Sequence, residues 1–247
     1  MSVADASNWN VADSKPAFDA RCLEYQPIVQ SALNKQLISE EEPVIDLFDL
    51  DVFRARLQNL TDAFGEDFIT HGLSIKAQPL AGILNFARKN FKNVGIEGAS
   101  YQEVLHGFNI GFDPSQLIFD SPVKPKHELI KAMEKGFYIN LDNIQDMETV
   151  DEILKEGLQT NSKFGIRLNP LVGEGTIAAS STAGISSKFG LLAHKETIDT
   201  LVNLFKKYPF VQGYHCHVGS QGIELEKLVA ACKQRFFKYL YDFKFIY

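Results

Sequence analysis

Apolar positions along this chain fall into two alternating rhythms. Residues 49–64 carry Leu50, Phe53, Leu57, Leu60 and Phe64 at helical spacing, directly after a stretch at 43–48 that reads as a strand. Short apolar runs then recur at 68–75, 94–96, 117–119, 137–141, 164–168 and 211–217, mostly separated by helix-patterned stretches. These are the expected strands. The first four end at Ile75, Ile96, Phe119 and Leu141, which lie 21, 23 and 22 residues apart, room for one helix and two short loops each time. Strand-helix alternation predicts a parallel α/β sheet. An open doubly wound sheet and a TIM barrel both satisfy that pattern. The residues after the first run are Lys76-Ala77-Gln78-Pro79 and not a Gly-rich phosphate turn, which favours the barrel.

A TIM-type (β/α)8 barrel needs eight strand-helix units in about 250 residues. This chain spends over 60 residues before its first barrel strand and has 30 after His217. The expectation is therefore an incomplete barrel of about six of its eight strands. Residues 1–20, rich in Ser, Ala and Asp, show no sustained period and read as a loose arm. The resulting organisation is an N-terminal arm over 1–42, a partial barrel over 43–235, and an atypical tail over 236–247 in which seven residues are aromatic.

Composition narrows the function classes. With 45% apolar residues, 23% charged and 19 Phe, the chain can bury a sizeable core. A net charge of -6 argues against nucleic acid, which needs clustered Lys and Arg to displace counterions. Cys22, Cys216 and Cys232 have no CxxC spacing, so neither a disulfide framework nor a zinc site is indicated and a reducing compartment fits. No run approaches the roughly 18 to 20 apolar residues of a membrane span. The N-terminus lacks the layout of a signal peptide, and Asp5, Asp13 and Asp19 weigh against a transit peptide, so the expected location is cytoplasmic.

Functional groups of a parallel barrel sit where strands end and loops leave the sheet. Lys76 directly follows Leu73-Ser74-Ile75 and occupies such a place. Burial there would disfavour its charge and leave the neutral amine that a Schiff base needs, while the plainer reading is a lysine snorkelling from a strand end. A second cluster is Gly213-Tyr214-His215-Cys216-His217-Val218-Gly219-Ser220-Gln221. Its Gly-Ser turn can offer N–H groups and a hydroxyl to a phosphate. His215 and His217 alternate onto one face, so a metal pair and two satisfied core histidines are both open, with no third ligand nearby. Arg167 ends a strand, and the small-residue loop that follows, with Ser187-Lys188-Phe189-Gly190, reads as a lid or as solvated charge.

Several of these segments together resemble one family, the fold-type III pyridoxal-phosphate (PLP) decarboxylases of diaminopimelate, ornithine and arginine. Ser74-Ile75-Lys76-Ala77 looks like the family's cofactor-lysine segment, and Glu97-Gly98-Ala99-Ser100-Tyr101-Gln102-Glu103 resembles its Asp-x-Ala-Ser-x-x-Glu. Gly111-Phe112-Asp113-Pro114, Arg167-Leu168-Asn169-Pro170, Thr182-Ala183-Gly184 with 187–190, and 215–221 follow in the family's order, across roughly 43–222. The last two resemble the diaminopimelate decarboxylase branch most.

The resemblance implies an alanine racemase-like barrel that binds PLP. Lys76 would form the Schiff base, His217 would stack on the pyridine ring, and Ser220 with Gly219 would meet the phosphate. Arg167 and Glu97 would line the cofactor side of the barrel mouth, with no metal. It implies a carboxy-lyase acting on a small amino acid, most closely diaminopimelate or another diamino or basic one, and a homodimer. A non-catalytic PLP-binding protein and an amino-acid racemase are the alternatives. Three departures stand out: Glu97 replaces the usual Asp, Gln78 the usual Asn, and Ser74-Ile75 a Tyr-Ala-Val lead-in. The family's later Gly-rich loop, Glu-Pro-Gly-Arg segment and C-terminal β domain have no counterpart in these residues.

Overall fold

The computed structural model of the chain describes residues 11–65, 69–173, 182–185, 187–220 and 223–233. The aromatic tail and residues 1–10 lie outside them. Two compact units emerge, 1–53 and 54–247. In the first, Val11–Asn34 is a helix, α1, although residues 1–20 show no sustained period and were expected to form a loose arm. Residues 43–48, expected as a strand, make no ladder and are extended chain leading into α2, Leu50–Phe64. Asp49 starts that helix by accepting the N–H groups of Asp51 and Val52, both at 2.9 Å. A strand needs a partner strand as well as an apolar run, and local sequence does not supply one.

The second unit is a run of parallel strands. In chain order they are β1 His71–Ser74, β2 Val94–Gly98, β3 Leu117–Asp120, β4 Tyr138–Leu141, β5 Phe164–Asn169, β6 Leu191–Leu192 and β7 Val211–His215. Each of the six expected strands is present; β1, β4 and β7 are shorter than the apolar runs, and β2, β3 and β5 extend one or two residues past them. The first stops at Ser74, with Ile75, Lys76 and Ala77 in a turn, and the last stops at His215, leaving His217 in the following loop. Only the two-residue β6 was not foreseen, being too short for any period to register. Pairing runs β1-β2-β3-β4-β5, and β5 then carries two partners on its free side. Residues Phe164 to Arg167 pair with β7, and Leu168 and Asn169 pair with β6.

Helices α3 (Ala81–Asn90), α4 (Tyr101–Ile110), α5 (Lys126–Lys135), α6 (Ile144–Lys155) and α7 (Ile198–Lys207) fill the crossovers, and α8 (Leu225–Cys232) follows β7. Helix α4 shows how local chemistry sets an end. The Ser100 hydroxyl caps Glu103 N–H, the Glu103 carboxylate takes Ala99 N–H at 2.7 Å, and Gly111 closes the helix at φ 100°. Ser100 and Glu103 of the family-like motif thus serve to start a helix.

The strands have two unlike faces. Val94, Ile96, Leu117, Phe119, Ile139 and Leu141 are fully buried and alternate along β2, β3 and β4. Each such side chain is worth about 1.5–3 kcal/mol over exposure. The intervening positions, Glu97, Asp120, Asn140, Arg167 and His215, share the other face. In a flat sheet strands three places apart would be about 14 Å from each other. Yet Asp120 on β3 and His215 on β7 approach to 3.3 Å. The sheet therefore curls around its polar face as the wall of an incomplete barrel.

Candidate functional site

The C-terminal strand ends surround a cavity of 240 Å³ lined by Lys76, Glu97, Asp120, Arg167, Phe189, His217 and Ser220, among others. Five of the six residues singled out from the sequence meet here. Gly219 precedes Ser220 but does not line the space. Lys76 is exposed while facing the cavity, as the snorkelling reading has it. Its turn position lifts it clear of the sheet. The two histidines part company: His217 lines the cavity and His215 turns to Asp120, their ring centroids 6.4 Å apart.

Asp120 was invisible to motif reading and organises the floor of the site. Its Oδ2 lies 3.3 Å from Arg167 Nη1, and its Oδ1 lies 3.3 Å from His215 Nδ1, all three side chains being largely buried. The second contact has ion-pair distance without hydrogen-bond alignment, and both of those atoms lack a hydrogen-bond partner. Burial by itself would raise the Asp120 pKa, but His215, Arg167 and Lys124 together outweigh it and hold the carboxyl at about 2. Glu97 is pushed the other way, above the usual carboxylate range, by burial and by the Asp120 charge, with His215 and Lys76 offsetting part of this. Two carboxyls whose pKa values are shifted in opposite directions thus stand side by side.

Arg167 is gripped further by Asp142, whose Oδ1 is 3.7 Å from its Nε, and by the Phe189 ring 4.6 Å from its Cζ. His217 is held well below the ordinary imidazole range, at about 4, by burial first and then by the Arg167 charge. It is therefore neutral at pH 7, as a ring that packs flat on another ring prefers. Glu97, Asp120 and His215 are the one His, Cys, Asp and Glu group among the described residues whose ligand atoms lie within 4.8 Å of one another. Within that group Asp120 is already paired with Arg167.

A curled parallel sheet whose strand ends present an amine, a guanidinium, a neutral imidazole and a hydroxyl to one cavity defines a barrel protein with a small-molecule site at its C-terminal face. The chain belongs to the pyridoxal-dependent decarboxylase family: residues 50–242 match the model of its pyridoxal binding domain. Diaminopimelate decarboxylase of Staphylococcus aureus is 26% identical over 77% of this chain and 45% of its own length. That of Helicobacter pylori, solved with L-lysine, superposes with a TM-score of 0.70 at 23% identity, covering 80% of this chain and 50% of the other. Lysine/ornithine decarboxylase of Vibrio vulnificus, solved with putrescine, gives 0.63 at 19% identity over 85% and 55% of the two chains. The chain spans about half the length of these relatives.

The implied cofactor is pyridoxal phosphate, and the donor set fits it. An exposed amine can reach an aldehyde, a neutral ring faces the same space, and the Ser220 hydroxyl stands at its edge. Sequence reading missed Asp120, Asp142 and Lys124. Asp120 alone carried a signal, alternation, since it follows Leu117-Ile118-Phe119 on the face opposite the apolar pair.

Proposed function

We propose that this chain forms the cofactor half of a PLP-dependent amino-acid decarboxylase acting on diaminopimelate or a similar diamino or basic amino acid. The observation that carries the reading is the convergence of Lys76, Glu97, Arg167, His217 and Ser220, from the ends of four strands, on one cavity. Lys76 would be the covalent attachment point for the cofactor aldehyde, its exposed amine free to exchange with that of a substrate. His217, neutral, would support the pyridine ring. Ser220 and the Gly219 N–H would take the phosphate. Arg167, fixed by two carboxylates, would place a permanent cation at the wall, and Glu97, its pKa raised by burial and the Asp120 charge, would stand beside it. When bound, PLP supplies the electron sink that lets a carboxylate leave as CO2.

Relatives named for diaminopimelate support the substrate class. A cytoplasmic location and a homodimer belong to the same proposal; no helix among the described residues is long and apolar enough to cross a membrane. The deciding experiment is borohydride reduction of the protein with PLP, followed by peptide mapping. A pyridoxyl label on Lys76, lost in Lys76→Ala together with the bound-cofactor absorbance, is the expected outcome. A label elsewhere, or none, removes Lys76 from the role.

A further inference from the structure

We propose that Asp142, which does not line the cavity, is a positioning residue that holds two of its walls, the Arg167 guanidinium and the segment Phe189-Gly190. What the cavity binds rests on the function proposed above; the clamp rests on geometry alone.

Asp142 follows β4, is buried, and points its two oxygens at different elements. Oδ1 faces Arg167 Nε at 3.7 Å, an ion pair without a hydrogen bond, and Oδ2 accepts the Gly190 N–H at 3.3 Å. Its own N–H donates to Asp146 Oδ2 at 2.9 Å, the oxygen that also takes the buried Lys124 ammonium at 2.7 Å. The clamp is thus anchored from below, at the start of α6. Arg167 in turn supports Phe189, which lines the cavity, so moving Asp142 would move both.

Gly190 shows how tightly the segment is seated. Its φ is +70°, and a Cβ there would come within 2.9 Å of the Arg167 carbonyl oxygen. Directly after it, β6 pairs with Leu168 and Asn169, and Ala193 N–H reaches Asn169 O at 2.9 Å. The segment therefore lies along the end of β5 at a single register, with Asp142 holding its first free amide. Burial pushes the Asp142 pKa up, the Gly190 N–H, Arg167 and Lys124 pull it back, and Asp120 adds a smaller rise.

Two variants separate the parts of the clamp. Asp142→Ala removes both contacts, whereas Asp142→Asn keeps an acceptor for Gly190 N–H and deletes only the charge facing Arg167. Hydrogen exchange of residues 189–193 is read on the cofactor-free chain, and PLP affinity by absorbance titration. In Asp142→Ala the exchange should rise roughly tenfold, the scale of one lost hydrogen bond. PLP affinity should fall roughly tenfold, the scale on which supporting partners of a site act. Asp142→Asn should restore the exchange protection while PLP affinity stays weakened. Unchanged exchange in both variants overturns the clamp. Changed exchange with unchanged PLP affinity in both overturns the positioning role and leaves a structural one. Should Asp142→Ala not fold, Asp142→Asn alone decides between full and weakened PLP affinity. A wild-type chain that takes no label on Lys76 would sink the cofactor reading, while the exchange data would still test the clamp.

Discussion

The two faces of β3 carry opposite duties on neighbouring residues. Phe119 is fully buried on the helix side, and Asp120, next along the chain, stands on the polar side among Arg167, His215 and Glu97. The helix side is redundant chemistry, one apolar side chain against another, and its worth grows with area. The polar side is specific chemistry, in which each group depends on the charge of the next. A buried ion pair of this kind is weak support for stability but fixes geometry sharply. The comparison teaches that this barrel wall is held up from outside and tuned from inside.

Three measurements can break or sharpen that contrast. The largest effect is expected for Phe119→Ala, which should cost about 3–5 kcal/mol in urea unfolding. A cost no greater than that of Asp120→Asn would erase the distinction between faces. Next comes the acid limb. Asp120 has a folded pKa of about 2 against an ordinary 3.8, so its contribution is fully present above pH 3.8 and is lost as the pH falls toward 2. That limb amounts to about 2 kcal/mol. Unfolding midpoints measured across this range should flatten in Asp120→Asn, and an unchanged slope would mean that other carboxyls carry the acid sensitivity. The smallest effect tests a residue that looks functional from its motif. Ser100→Ala removes the cap of α4 and should cost about 1 kcal/mol without altering PLP affinity. A large loss of affinity would return Ser100 to the site.

The parallel order of elements was legible because apolar runs of strand length recur at a steady interval, and only strand-helix crossovers give that rhythm. Lys76, Arg167, His217 and Ser220 were legible because they sit at strand ends inside recognisable segments. Asp120, Asp142 and Lys124 were not, because an acid or base at a strand end is commonplace until its partner is known. For Lys76 the local sequence left burial and a snorkelling side chain both open, and the turn that exposes it decides between them. The 43–48 segment failed as a strand for a similar reason: an extended apolar run has no way of announcing that nothing pairs with it.

By itself, then, the sequence determined where strands and helices alternate through the barrel and which side of each strand is apolar, both of which depend on neighbours within a few residues. The tertiary structure decided what those elements enclose. Asp120 meets His215 across 95 positions of chain, and Asp142 meets Gly190 across 48. Contacts at such separations exist only once the sheet has curled, because the curl is what turns alternate residues of distant strands toward a common centre.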